Sequence, residues 1–150
     1  MLYTKLTIKA MDVAYFAHFG QKDKAGAPYI LHPIHIAEGM PDEDLTVIAL
    51  LHDVIEDTEV TASELRRLGF TPTQVEAVVA LSRKKDEKYF DYIERVKKNG
   101  LARIVKMADL KHNSDKSRLA TLPEEEQEKM IKLIDERYKK ALKILREQWS

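Results

Sequence analysis

Along most of the chain the apolar residues recur at intervals of three and four, the spacing that draws one stripe down the side of a helix. Leu6, Ala10, Val13, Ala14 and Ala17 make the first stripe, which runs out at Gly20. The pattern predicts a helix over about residues 4 to 19 with the glycine as its C-terminal cap. From Gln21 to Pro33 the chain carries Gly26, Pro28 and Pro33, and proline inside a helix loses a donor and crowds the preceding turn. That stretch is predicted as a loop, with a short helix from Pro33 to about Met40 after it. Asp42 and Asp44 open a third helix whose body, LTVIALLHDVI, is apolar enough to be central.

Thr61-Ala-Ser-Glu64 reads as a capping box, and Thr71-Pro72 as a cap followed by proline in the first helical position. Residues 86 to 99 form an amphipathic helix with Tyr89, Tyr92, Ile93 and Val96 on one side and Gly100 ending it, and residues 101 to 113 form another. After Leu122-Pro123 the run EEEQEKMIKLIDERYKKALKILREQW places acids first and bases later, as the helix dipole favours, with Met130, Leu133, Ile134, Ala141, Ile144 and Leu145 facing inward. The expected fold class is all-α and compact, one domain over residues 1–150.

Composition narrows the function classes. Lys plus Arg and Asp plus Glu both number 25, so no global basic field holds nucleic acid or an anionic membrane. The one basic run, Arg83-Lys84-Lys85, is followed at once by Asp86-Glu87. With no cysteine, thiol chemistry and thiolate metal sites are excluded, and any metal must use imidazoles and carboxylates. Lys5, Lys9 and Asp12 interrupt the N-terminal stretch, which therefore lacks the apolar run of a signal peptide, and no segment has the roughly 18 apolar residues of a membrane span. A soluble, cytoplasmic protein is expected; nothing in the sequence speaks to oligomeric state.

Candidate chemistry concentrates on the third helix. With about 100° per residue, His52, Asp53, Glu56 and Asp57 fall at roughly 0°, 100°, 40° and 140°, while Val47, Ile48, Leu50, Leu51, Val54 and Ile55 take the opposite side. Three carboxylates within a turn repel one another, so such a face needs water or a cation. A solvated face is the plain reading. Two further groups favour the other one: His32 stands in Pro28-Tyr-Ile-Leu-His-Pro33, where prolines limit the backbone, and Asp109 stands in the apolar-rich helix LARIVKMADLKHN with Asn113 one turn on. Two imidazoles and two carboxylates suit a divalent ion of the Mn, Fe or Zn kind with water completing its shell. His35 is expected at the surface and His18 in a structural role near the end of the first helix. His112 is open between packing and support of a ligand.

These residues resemble the HD-domain metal-dependent phosphohydrolases, whose motif H…HD…D would be met by His32, His52-Asp53 and Asp109. More narrowly, AHFGQ, GAPYILHP, ALLHDVIEDT and VKMADLKHN, in that order over about residues 14 to 114, resemble the hydrolase domain of the RelA/SpoT-homologue family, which removes the 3′-pyrophosphate from (p)ppGpp. The resemblance implies the helical HD-domain fold, one Mn2+ held by His32, His52, Asp53 and Asp109 (another divalent ion is open), and Glu56 with Asp57 positioning and deprotonating the attacking water. It implies Asn113 at the nucleotide sugar and Lys24 on the phosphate or base side. Lys106 is open between a phosphate contact and a surface or helix-pairing role. The partner would be a small-molecule nucleotide, with no nucleic acid or membrane involved. At 150 residues the chain is similar to the small stand-alone hydrolases and has no room for a synthetase domain.

Two departures stand out. Where the family commonly has Arg-Lys before Gly-x-Pro-Tyr, this chain has Asp23-Lys24, and an acid cannot do what a guanidinium does on a base or phosphate. ADLKHN followed by Ser-Asp-Lys also differs from the usual ADRLHN continuation. They keep open a phosphatase acting on another nucleoside phosphate or a phosphorylated dinucleotide. A catalytically inactive nucleotide-binding module is the reading from a different class.

Overall fold

Every residue from Leu45 to Leu51 is buried, on all sides of the helix Glu43–Leu51, here α3. A helix that is apolar all round must be wrapped, and this one is the axis of the fold. Around it pack α1 (Lys5–Ala17), α2 (Leu31–Glu38), α6 (Pro72–Ala80) and α8 (Gly100–Asn113). The remaining elements are α4 (Val54–Asp57), α5 (Ala62–Arg67), α7 (Tyr89–Lys97), a 3-10 turn at Lys116–Leu119, α9 (Glu124–Leu133), a π-helical segment at Ile134–Tyr138, and α10 (Lys139–Arg146). This computed structural model describes residues 1–147, and no strand occurs among them beyond one isolated bridge between Lys22 and Pro28. The Gln148-Trp149 end expected for the last helix lies outside the described residues. No described helix is long and apolar enough to cross a membrane.

The caps follow from the sequence. Thr4 and Thr71 close reciprocal capping boxes with Thr7 and Gln74, Pro72 stands at the start of α6, and Asp42 and Thr61 each accept the backbone N–H three residues on. The all-α class and the central third helix agree with expectation. Four boundaries differ. The first helix ends at Ala17, and Gly20 takes a left-handed φ of +83° two residues beyond its cap His18. The second begins at Leu31, ahead of Pro33, because a proline in the first turn gives up an N–H that has no helical acceptor anyway. Gly100 opens α8 behind its cap Asn99 rather than closing α7.

The fourth difference matters most. The third helix is not continuous: α3 stops at Leu51, the backbone turns at His52 and Asp53 (φ −107°, ψ 0° at Asp53), and α4 restarts at Val54. His52 is thereby sunk to 2% exposure beside the core, while α4 carries Glu56 and Asp57 outward into exposed positions. A single helical wheel does not describe these residues. Because α3 touches four other helices, Ile48→Ala, at a fully buried position, should lower unfolding free energy by about 2–5 kcal/mol in urea denaturation.

Candidate metal centre

Three buried side chains from three helical segments meet behind α4. His32 of α2, His52 at the α3–α4 break and Asp109 of α8 are 4%, 2% and 4% exposed, and each offers a ligand atom within 4.8 Å of the others. Nε2 of His32 lies 2.8 Å from Oδ1 of Asp109, and Nε2 of His52 lies 3.5 Å from the same oxygen. Asp53 joins through Oδ2, 3.0 Å from Nε2 of His52. Asp53, Glu56 and Asp57 make a second group of ligand atoms within 4.8 Å, running outward along α4.

Hydrogen bonding at the back of each ring decides what faces the centre. Nδ1 of His52 donates to the Ala49 carbonyl (2.6 Å), an acceptor only, so in the neutral ring Nε2 carries a lone pair. That buried nitrogen makes no well-formed hydrogen bond, although two carboxylates surround it. His32 points Nδ1 at Nδ1 of His112 (2.7 Å), and the two rings lie nearly parallel. A proton on His32 Nδ1 frees its Nε2 toward Asp109, with His112 as the acceptor; burial and the nearby Arg118 hold the His112 pKa down to about 4, which keeps it neutral. Lone pairs of two neutral rings and anionic oxygens thus converge on one point, with more acceptors than the chain's own donors there. This donor set fits a divalent cation of the nitrogen- and oxygen-binding kind.

The charges respond accordingly. Burial disfavours the charged form of His52, yet Asp53 and Asp109 together lift its pKa well above the ordinary imidazole value. Burial likewise works against ionised Asp53 and Asp109. It is outweighed by His52 for the first and by Lys106 for the second, and both carboxyls are held below the usual range. Lys106, one turn before Asp109, places Nζ 2.8 Å from Oδ2 and over the Tyr92 ring. Glu56 and Asp57 move the other way: burial, and for Asp57 then the charge of Asp53, raise their pKa values.

The pair opens onto a cavity of about 520 Å3 whose lining includes Lys24, Tyr29, His32, Glu56, Asp57 and Asn113. At this depth the structure can be compared with known proteins. No family model matches the chain. It is 35% identical over 120 residues to the bifunctional (p)ppGpp synthase/hydrolase SpoT of Escherichia coli, covering 70% of this chain and 17% of that one. Over 65 residues it is 42% identical to a guanosine-3′,5′-bis(diphosphate) 3′-pyrophosphohydrolase of Borreliella burgdorferi, covering 41% and 10%. Over 133 residues it is 35% identical to a GTP pyrophosphokinase of Streptomyces coelicolor, covering 81% and 16%. The matches thus span 10–17% of these curated relatives. A solved structure described as a metazoan ortholog of SpoT that hydrolyzes ppGpp superposes with TM-score 0.72 at 23% identity, covering 97% of this chain and 88% of that one.

The chain resembles the RelA/SpoT-type HD-domain hydrolases. Its fold is theirs, and three of the four segments of the resemblance, GAPYILHP, ALLHDVIEDT and VKMADLKHN, contribute side chains to the centre or its cavity. His32, His52, Asp53 and Asp109 come together, Glu56 and Asp57 stand beside them, and Lys24 and Asn113 line the cavity. Lys24 rests its Nζ 3.2 Å from the Met130 sulfur, while Asn113 donates to Asp109 Oδ1 (3.1 Å). His18 is buried at the end of α1 and pairs with Gln21, and His35 is exposed and stacks on His112.

Two participants, Tyr29 and Arg118, were not read from the sequence, and the role of a third, Lys106, was left open there. Tyr29, whose hydroxyl donates to Asp53 Oδ2, stands three residues before His32 in a segment already singled out, yet a tyrosine in a Pro-flanked turn has no signature of its own. Lys106 is a partner of Asp109 rather than a surface group. Arg118 reaches the cavity from the 3-10 turn, a segment with no helical rhythm to place it. Removing the lysine leaves a buried carboxylate uncompensated, so Lys106→Met should destabilise the metal-free protein by about 3 kcal/mol, and adding Asp109→Asn should recover much of that loss in urea titrations.

Proposed function

We propose that residues 1–150 form one HD-type phosphohydrolase in which His32, His52, Asp53 and Asp109 hold a single divalent ion, Mn2+ first among the candidates. Its substrate is a small nucleotide in the cytoplasm, (p)ppGpp, from which the 3′-pyrophosphate is removed. The observation that carries this reading is the buried Nε2 of His52, set between two carboxylates without a well-formed hydrogen bond, with a second carboxylate pair opening from it onto a cavity. The names and titles of the similar proteins support the choice of nucleotide.

A divalent ion bound there would supply Lewis acidity, making a water more acidic and offsetting charge that develops on phosphorus. The side chains do the rest. Ala49 and His112 fix the two imidazoles so that each turns Nε2 inward. Tyr29 holds Asp53 by its Oδ2, and Lys106 balances Asp109. Glu56 and Asp57, whose pKa values burial raises above the usual carboxylate range, would accept the proton of the attacking water at a carboxylate oxygen better than ordinary surface acids would. Asn113 and Lys24 line the same cavity, where Asn113 would contact the nucleotide sugar and Lys24 would serve the phosphate or base side.

A second reading keeps the centre and changes the ligand to another nucleoside phosphate or a phosphorylated dinucleotide. Asp23 favours it, standing where the resembled family has arginine.

Purified protein with Mn2+ should release pyrophosphate from ppGpp, chelation should stop release, and Asp53→Ala should lower turnover by about a hundredfold or more. A nucleotide panel in which another compound is clearly preferred decides for the second reading. A chain that holds a stoichiometric ion and turns over no nucleotide overturns both. Separately, Glu56→Gln and Asp57→Asn should each lower kcat by about 10²–10⁴-fold while leaving Mn2+ affinity within a few-fold of the parent, measured by turnover and by titration calorimetry.

A further inference from the structure

The loop after α1 carries an acid where a cation was expected, and the structure shows what that acid does. Asp23 Oδ1 accepts the backbone N–H groups of Ala25 (3.0 Å) and Ala27 (2.9 Å), while its own N–H donates to the Ala27 carbonyl (2.8 Å) and Gly26 turns through φ +91°. A guanidinium has no acceptor and could not organise this turn. The other carboxylate oxygen, Oδ2, faces across the cavity mouth to Arg118, 3.4 Å from a terminal nitrogen. The second terminal nitrogen of Arg118 donates to the His112 carbonyl (3.0 Å) and to Oδ1 of Asn113 (3.3 Å).

Arg118 is therefore tethered at both sides yet keeps about a quarter of its side chain exposed (26%), and it lines the same cavity as Glu56 and Asp57. Its contact with Asp23 is long, so a closer anionic ligand can compete with it. Asp115 stands on this wall too, with Oδ1 occupied by the N–H and hydroxyl of Ser117. The cavity is consequently two-sided: carboxylates at the centre, and Lys22, Lys24 and Arg118 around the loop and the 3-10 turn. A ligand that fits both sides has one phosphoryl group at the centre and a second, separated anionic group at the cations.

We propose that Arg118 is the specificity-determining cation of this cavity, binding the phosphate group that is not cleaved, and that Asp23 is its positioning residue. The guanidinium absent from the loop is delivered from the 3-10 turn. This rests on the hydrolase reading above and adds to it the residue that tells a nucleotide with a second phosphorylated position from one without it.

The test uses the full chain with Mn2+ and two probes, ppGpp and a guanosine 3′-diphosphate lacking 5′-phosphates. Arg118→Gln should raise KM for ppGpp by about tenfold or more with kcat within about threefold, and should barely alter KM for the second probe. Asp23→Asn, which keeps the acceptor oxygen of the turn, should raise KM for ppGpp by a smaller factor. Arg118→Lys, which keeps a cation at this wall, should recover part of the affinity lost in Arg118→Gln, an outcome that a merely structural role for Arg118 would not produce. Equal KM for ppGpp in parent and Arg118→Gln, or an equal loss for both probes, overturns the proposal. If the parent turns over neither probe, the hydrolase reading fails instead, and Arg118 is judged by equilibrium binding of the same two compounds. Equal ppGpp affinity in parent and variant overturns it there.

Discussion

The structure is organised around an excess of acceptors. Asp109, Asp53 and the inward nitrogens of His32 and His52 crowd together, and the donors the chain sets against them, Lys106 and Asn113 on Asp109 and Tyr29 on Asp53, all approach from the rim. Low dielectric makes such a gathering unfavourable unless a positive charge enters it. In the bare protein a proton on His52 and the ammonium of Lys106 serve that need in part, which is why the imidazole pKa is driven up and both carboxyls are driven down. A divalent cation serves it fully. The surrounding helices hold the acceptors in place against their mutual repulsion, and the core around α3 is what makes that affordable.

This explains the division of labour along the chain. Rigid elements carry the candidate ligand atoms: α2, the end of α3 and α8 belong to one packed set around the buried axis. The cations that line the cavity, Lys22, Lys24 and Arg118, stand on less regular backbone, the loop between α1 and α2 and the turn after α8. Asp23 belongs to the second class, and its carboxylate both shapes a turn and reaches across to another segment.

Much of this was legible in the sequence because helices and buried carboxylates leave strong marks. The three-and-four spacing gave the helical class, the solid apolar run Leu45–Leu51 marked the axis, and Asp109 in an apolar stretch announced a buried acid that needed company. The break at His52–Asp53 was not legible: no proline or glycine interrupts LLHDVI, and the turn there is imposed by what packs around it. Nor was Arg118, whose importance depends on a contact with a residue ninety-five positions earlier. Proline at position 33 misled in a simple way, since helix-breaking applies to interiors and not to first turns.

The π-helical stretch between α9 and α10 has a consequence of its own. It holds one residue more per turn than its neighbours, which offsets the phase of everything downstream by roughly 100°. With that offset, Tyr138 lies along the cavity while Ala141 and Leu145 still seal the interior. Excising a single residue there would restore ideal winding and rotate one of those two surfaces out of alignment, so the irregular winding lets one continuous rod serve as both wall and lid of the core.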